Sequence, residues 1–329
     1  MSKPLPSVSI LIPLYRVEQY VETCLRSVLE QDYPQLEVVI VDDASPDKSI
    51  EIAERLCTEA NPKAHTFKLI RHSENRGAAI ARQSASEAAS GDLLLFLDSD
   101  DYLMRPDAVR LIADKMTSEN ANLVLFGWTE LFRHRERTTI PFHFSDPVAL
   151  SAAIISGKTP GYLCNKCYRR ELFLTHAHFF EGCDMWEDIA VTAVYSYHAE
   201  RIAYLDLSLY MYRRTNENAL TYRLTPERLA SMQHQADFLE HYFEYKSDTH
   251  LSEALRRMRL SILHTELNHT NYDRYKAILA THPPLRDFLE ADGGLAARMS
   301  LCSQRLYNMG LKRMGFALLR LKKVLLRLR

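Results

Sequence analysis

Three carboxylates directly follow a run of large apolar residues in this chain, at Asp98, Asp100 and Asp101. The apolar run, Leu93–Leu97, has the composition of a buried strand. In an open α/β sheet, ligands bind in the crevice beyond the carboxyl ends of the strands. Carboxylates grouped there repel one another unless they share a cation, and hard divalent cations prefer oxygen ligands together with substrate phosphates. The pattern therefore predicts a metal ion and a phosphorylated ligand at this strand end.

The same part of the chain contains the elements that must position these acids. Apolar runs predict four strands, at 8–12, 36–41, 67–71 and 93–97. Helical spacing follows each of them, at 18–30, 49–56, 77–89 and 107–116. Strands separated by helices of this length predict a parallel, doubly wound α/β sheet with helices on both faces.

Polar or aromatic residues follow all four predicted strands. They are Pro13-Leu14-Tyr15, Asp42-Asp43-Ala44-Ser45, Asn75-Arg76-Gly77 and Asp98-Ser99-Asp100-Asp101. Because the carboxyl ends of parallel strands meet at one edge of the sheet, these four groups predict a single binding crevice.

The remaining sequence predicts a smaller mixed region and then helices. Strand patterns occur at 122–128 and 203–212, a hairpin or loop at 133–144, and helical patterns at 151–155, 166–174 and 186–198. From Thr225-Pro226 onward only helices are predicted, with breaks near Pro283-Pro284 and Gly293-Gly294. We therefore expect an α/β domain over 1–222 and an all-helical region over 223–329.

Charge is distributed unevenly along the 329 residues. The net charge is −1, yet nine basic residues and no acidic residue follow Asp292. An apolar stripe at helical spacing runs along the tail, 311–329, and consists of Leu311, Met314, Leu318, Leu321, Leu325 and Leu328. Basic residues fall mostly on the other side, which predicts a helix lying on an anionic membrane surface. Packing against the body or a second subunit is the alternative.

The compartment and the classes of partner follow from what the sequence lacks. Near the N-terminus we find no basic region followed by the apolar core of a signal peptide. No apolar stretch reaches the roughly twenty residues that a membrane-spanning helix needs. The six cysteines form no disulfide framework. We expect reduced thiols, a cytoplasmic protein and no nucleic-acid partner, with the oligomeric state open. Zinc binding by Cys164, Cys167 and Cys183 is disfavoured because no fourth ligand has suitable spacing.

Four segments resemble the inverting, family 2 glycosyltransferases of the GT-A fold, of the kind that build bacterial polysaccharides. They are 9–15, 41–47, 74–77 and 96–101. The resemblance is strong over 7–115, weaker through 165–170 and 186–189 to Arg213, and absent from the C-terminal helices. It implies a Rossmann-like, mostly parallel sheet in which residues 1–115 bind a nucleotide sugar and residues 116–222 meet the acceptor.

This resemblance implies that the strand ends hold a UDP-sugar and that Pro13, Tyr15 and Asp43 line its base pocket. A tyrosine ring can stack on a pyrimidine, and a carboxylate can accept the uracil imide hydrogen. Arg76 and Arg82 are implied for the uracil carbonyl or the diphosphate, with a structural ion pair as the alternative for Arg82. The rest of the implied donor set is Leu14, Asn75, Gly77, Asp98, Ser99 and Arg213.

The implied metal ligand is Asp100, binding Mg²⁺ or Mn²⁺ together with diphosphate oxygens. Asp98 is implied at the metal, through its hydration shell, or at the ribose. Capping of the following helix is the alternative for Asp101. Arg213 is implied to close over the diphosphate, unless it lies in a solvated turn.

The implied catalytic residues are Asp188, as the general base that removes a proton from the acceptor hydroxyl, and Glu187, as its neighbour toward the acceptor. Stabilisation of a helix N-terminus is the alternative for both. Lys166 lies within the 165–170 motif but receives no role.

The implied activity is metal-dependent, inverting transfer of a hexose or N-acetylhexosamine from a UDP-sugar to a glycan hydroxyl. The acceptor would be lipid-linked, which places the protein at the inner face of the cell membrane. A nucleotidyltransferase is disfavoured because Pro13-Leu14-Tyr15-Arg16 is not a glycine-rich, basic loop. A noncatalytic nucleotide-sugar-binding scaffold is the alternative from another class.

Overall fold

The computed structural model of the protein describes residues 5–59, 65–183, 185–216, 225–269, 271–281 and 295–327. It divides into two compact units, Met1–Arg223 and Leu224–Arg329. Within these ranges the first unit carries the strands and the second is helical.

The first unit is built on one mixed, nine-stranded sheet within the described residues. The strands are β1 (Val8–Leu14), β2 (Leu36–Asp42), β3 (His65–Arg71), β4 (Leu93–Phe96), β5 (Tyr102–Leu103), β6 (Leu123–Leu131), β7 (Glu136–Thr139), β8 (Lys166–Arg169) and β9 (Ile202–Arg213). Their order is β3-β2-β1-β4-β8-β6-β9-β5, with β7 paired to β6. β1 pairs in parallel with β2 and β4, and β2 with β3, so the four predicted strand ends share one edge.

Helices cover this sheet because its central strands are apolar on both faces. The helices of the first unit are α1 (Val21–Leu29), α2 (Ser49–Glu59), α3 (Ala78–Ala88), α4 (Ala108–Ser118), α5 (Pro147–Ile155), α6 (Arg170–His176) and α7 (Glu187–His198). On one face, Ile10, Val38 and Leu95 of adjacent strands are fully buried against residues such as Val28 and Ile112. The parallel α/β arrangement of the first third is thereby confirmed.

The predicted helix over 166–174 is wrong in its first four residues. Lys166–Arg169 instead forms β8, which inserts antiparallel between β4 and β6, and the helix begins at Arg170. This pairing buries Cys167 and Tyr168 completely. The short strand β5 was not predicted. The segment 133–144, predicted as a hairpin or loop, contains β7, which pairs with the end of β6, and is irregular elsewhere.

The second unit consists of helices in its described part. They are α8 (Pro226–Phe243), α9 (Thr249–His269), α10 (Tyr272–Thr281), α11 (Leu295–Asn308) and α12 (Lys312–Arg327). Thr225 caps α8 by accepting a hydrogen bond from the Arg228 N–H, with Pro226 in the first turn, as predicted. The predicted breaks near Pro283-Pro284 and Gly293-Gly294 lie outside the described residues.

The tail helix α12 packs within the second unit, but not through its predicted apolar stripe. Leu319 and Lys322 are buried, and the Lys322 Nζ lies 2.6 Å from the Ser300 hydroxyl. Three members of the stripe remain exposed, at Leu311, Met314 and Leu321. The structure does not describe the side chains of Leu325 and Leu328. In the described part of the chain, no helix is long and apolar enough to cross a membrane.

Candidate active site

A cavity of about 720 Å³ opens in the first unit beside the carboxyl ends of β1, β2 and β4. One part of its lining, which we call the first wall, comes from the strand ends and α3 and includes Pro13, Leu14, Tyr15, Asp43, Asn75, Gly77, Arg82, Asp98, Ser99 and Asp100. The second wall comes from residues 157–164 and from the start of α7. The structure therefore brings Glu187 and Asp188 into the same cavity as the four strand ends.

Asp43 ties the end of β2 to the turn before α3. Its carboxylate accepts hydrogen bonds from the N–H groups of Arg76 at 2.9 Å and Gly77 at 2.8 Å, and lies 2.7 Å from His72 Nδ1. Gly77 has a φ of +87°, a backbone conformation that favours glycine. Tyr15 follows β1 with its side chain partly exposed in the same wall. This corner therefore places an aromatic ring near a buried carboxylate.

Arg76 and Arg82, predicted together, occupy different environments. The Arg76 guanidinium donates to Glu181 at 3.0 Å on the surface, and Arg76 does not line the cavity. Arg82 is held between two carboxylates, with 2.7 Å to Asp98 and 2.6 Å to Glu187. Burial alone would lower the pKa of Arg82, but the charges of Asp98 and Glu187 outweigh it and raise that pKa. The contacts of Arg82 therefore match the ion-pair alternative, and its contact with a donor stays a prediction.

The acid cluster after β4 separates into three environments. Asp98 pairs with Arg82, while Asp100 accepts a hydrogen bond from the Asn216 side-chain amide at 2.8 Å. Burial and the charge of Asp98 raise the pKa of Asp100. Asp101 does not line the cavity. Its carboxylate instead accepts hydrogen bonds from the Tyr210 hydroxyl and from the Arg213 N–H of β9.

Capping of α4 is therefore not the role of Asp101. That helix begins at Ala108, with Asp107 at the cap position. The buried carboxylate of Asp101 instead joins the 98–101 turn to β9, where the Arg213 N–H donates to it at 2.6 Å. The Arg213 guanidinium donates to the Asp100 carbonyl at 2.9 Å and lies over the Tyr20 ring, so the solvated-turn alternative for Arg213 is wrong.

Asp188 stands in the first turn of α7, where one oxygen accepts the Ile189 N–H at 2.8 Å. Burial raises the pKa of this carboxyl, and the positive charges of Arg82 and Lys166 oppose that rise. The preceding Trp186 has a φ of +67°, a costly conformation for a bulky residue and one that concentrates at functional sites. A partly buried carboxyl with a raised pKa in a cavity has the properties of a general base.

Several lining residues had no signal in the sequence. They are Thr159, Pro160, Gly161, Tyr162, Met185, Tyr212 and Asn216. The Tyr162 and Tyr212 rings stack with centroids 5.7 Å apart, and Trp128 meets Tyr162 edge-on. These aromatics come from three distant parts of the chain, so no local spacing could have grouped them.

The family model "Glycosyl transferase family 2" matches residues 9–177, more than half of the chain. The chain belongs to glycosyl transferase family 2. The family 2 assignment is supported by two proteins of Bacillus subtilis. EpsH is 31% identical over 63% of this chain and 61% of its own length. The uncharacterized glycosyltransferase EpsJ is 31% identical over 72% of this chain and 71% of its own length.

This family 2 chain also shares its fold with solved structures. The structure of Staphylococcus aureus TarS 1–349 in complex with UDP-GlcNAc aligns with a TM-score of 0.67, over 98% of this chain and 91% of that chain, at 21% identity. The mannosyltransferase PcManGT from Pyrobaculum calidifontis, in complex with GDP-Man and Mn²⁺, aligns with a TM-score of 0.54 at 18% identity. The Rossmann-like GT-A fold and the resemblance stated from the sequence are thereby confirmed.

Proposed function

We propose that this protein transfers a sugar, with inversion, from a UDP-sugar to a hydroxyl of a glycan acceptor. The observation that carries the proposal is the presence in one cavity of the strand-end residues of the first wall and of Asp188. The UDP-GlcNAc in the TarS structure supports a uridine donor in a chain of the same fold. An N-acetylhexosamine or a hexose is the sugar we propose.

The donor would lie along the first wall. The Tyr15 ring would stack on uracil, and the Asp43 carboxylate would accept the imide hydrogen. Asn75, Gly77 and Ser99 would complete the nucleoside pocket, and Arg213 would face the diphosphate. Arg82 would act mainly by fixing Asp98 and Glu187, because its guanidinium already binds both carboxylates.

A divalent cation fits the acids of this wall. Asp98 and Asp100 both line the cavity and offer the oxygen ligands that Mg²⁺ and Mn²⁺ prefer. Within the described ranges, no three His, Cys, Asp or Glu side chains form a metal-binding group. Mg²⁺ is commonly bound by one or two carboxylates together with substrate phosphates, so two aspartates and a diphosphate suffice. The bound cation would neutralise the charge that develops on the leaving UDP.

Asp188 would be the catalytic base. Its carboxylate would take the proton of the acceptor hydroxyl while that oxygen attacks the anomeric carbon and the bond to UDP breaks. The raised pKa makes this carboxylate a stronger base than an exposed aspartate. The acceptor would pack on the second wall, where Tyr162 and Trp186 present aromatic surface to a sugar ring, beside the Tyr212 ring of β9 that stacks on Tyr162.

We also propose that the protein binds the membrane surface that carries a lipid-linked acceptor. The exposed part of α12, together with Leu311 just before it, combines the apolar side chains of Leu311, Met314 and Leu321 with the cations of Lys312 and Arg313. Apolar side chains beside basic ones suit an interface with anionic lipid.

Calorimetric titration with UDP, in the presence of MnCl₂, tests the donor site. We expect UDP to bind and GDP to bind far more weakly. Tyr15→Ala should weaken UDP binding by about 1–3 kcal/mol, the usual contribution of one base–aromatic stack. Tyr245→Ala, which changes an exposed tyrosine of the second unit, is the matched control. Equal UDP affinity in both variants would contradict the proposed base pocket.

A further inference from the structure

Lys166 is a fully buried cation of the first unit that the proposed reaction does not use. Its Nζ donates to the Tyr162 carbonyl at 2.6 Å, the Asn165 side-chain oxygen at 2.8 Å and the Pro160 carbonyl at 3.3 Å. These three acceptors match the three donors of an ammonium group. Burial lowers the pKa of Lys166 to about 8. Burying an ammonium group among neutral acceptors costs free energy, which indicates that Lys166 does more than fill space.

Two of these acceptors stand on either side of Gly161, where the second wall touches α7. A Cβ atom at Gly161 would lie 2.8 Å from the Ile189 Cα, so the backbone of the wall lies directly against the helix. The Thr192 hydroxyl lies 3.0 Å from the Gly161 carbonyl and 2.7 Å from the Asp188 carbonyl. Residues 160–162 are therefore tied to the first turn of α7, which carries Asp188.

We infer that Lys166 is a positioning residue, which holds residues 160–162 against α7 and thereby sets the place of Asp188 in the cavity. This inference rests on the proposed function, in which Asp188 acts on the acceptor. An apolar side chain at Lys166 could fill the same space, but it would leave the Pro160 and Tyr162 carbonyls without their donor. The loop would then move relative to the helix while the first wall stayed in place.

The test compares Lys166→Met, a change in β8, with a control on α7, the helix that carries Asp188. Lys166→Met should lower kcat for UDP release from the active donor by about tenfold or more, because small displacements of a catalytic group are that costly. The dissociation constant for UDP should stay within about twofold, since the first wall is untouched. Tyr195→Phe removes a buried hydroxyl that lies 2.6 Å from the Asn122 carbonyl, away from the cavity lining, and should lower stability without lowering kcat.

A second variant keeps the inference testable if Lys166→Met does not fold. Gly161→Ala leaves the lysine in place and pushes the loop away from Ile189. It should give the same pattern, a lower kcat with unchanged UDP binding. The double variant should lose less activity than the product of the two single losses, because both act on one contact.

Hydrogen exchange provides a readout that does not depend on activity. Lys166→Met should accelerate amide exchange in residues 157–164 and in the first turn of α7, and leave β1 and β2 unchanged. An unchanged kcat in folded Lys166→Met, or unchanged exchange in these segments, would overturn the inference. Loss of UDP binding together with kcat would also overturn it. Absence of UDP release from every donor by the wild-type protein would instead count against the proposed function.

Discussion

Arg82→Met tests the ion-pair network that joins the two walls of the cavity. The substitution keeps an aliphatic side chain but removes the cation between Asp98 and Glu187, whose side chains are 25% and 9% exposed. Removing one partner of a buried pair costs about 3–5 kcal/mol, and with one partly hydrated carboxylate we expect about 4 kcal/mol. For a unit of this size, that loss lowers Tm by roughly 8–16 °C.

Urea denaturation followed by tryptophan fluorescence measures this loss. Both tryptophans of the chain, Trp128 and Trp186, lie in the first unit, so the signal reports on the unit that contains Arg82. Arg76→Met is the matched control, because the Arg76–Glu181 pair is exposed and should contribute at most about 1 kcal/mol. Adding Glu187→Gln to Arg82→Met should restore part of the stability. A loss no larger than that of Arg76→Met would refute the network.

Three further outcomes follow from the site, the sheet and the tail. Asp100→Ala should lower Mn²⁺-dependent UDP release by about 10²-fold or more while the Tm stays near that of the wild type, and full activity would contradict the metal assignment. The pKa of Glu37 is lowered to about 2, against the cost of burial, by its bonds to Lys68 and other donors. Its stabilisation is therefore present above pH 4.5 and lost as the pH falls toward 2, so the stability advantage over Glu37→Gln should shrink by about 3 kcal/mol in acid denaturation scans. Finally, Leu321→Asp on the exposed side of α12 should reduce cosedimentation with phosphatidylglycerol vesicles, and unchanged binding would contradict the membrane proposal.

The parts of the fold that the sequence predicted are those fixed by local pattern. The apolar runs of β1, β2 and β4 are buried on both faces, so their composition identified them without knowledge of their neighbours. The polar groups that end these strands were grouped correctly, because parallel pairing brings strand ends to one edge. Glu187 and Asp188 were predicted to belong to the same site only from the family resemblance.

The features that could not be predicted depend on pairing between distant segments. β8 has only four residues, and its strand character comes from insertion between β4 and β6 rather than from its own pattern. The bond of Arg82 to Glu187 joins residues 105 positions apart, which no spacing rule relates.

The face through which the tail helix packs could not be predicted from its sequence pattern. Hydrophobic spacing indicates which side chains share a face of a helix, but not which face its own unit covers. In α12 the packed face includes Lys322, which hydrogen-bonds Ser300, while Met314 and Leu321 are exposed. A buried lysine with polar partners leaves no trace in an apolar pattern, so the packing face could not be chosen from the sequence.

Analysis of the products released from a panel of activated sugars tests the central claim most directly. With UDP-GlcNAc or another UDP-sugar, Mn²⁺ and a glycan acceptor, we expect UDP and a glycosylated acceptor in equal amounts. Asp188→Asn should bind UDP as the wild type does and lose turnover by about 10²–10⁴-fold, the usual contribution of a general base. Pyrophosphate release from a nucleoside triphosphate and a sugar phosphate would identify a nucleotidyltransferase instead. Donor binding without turnover by the wild-type protein, across the panel of donors and acceptors, would identify a scaffold and contradict the account.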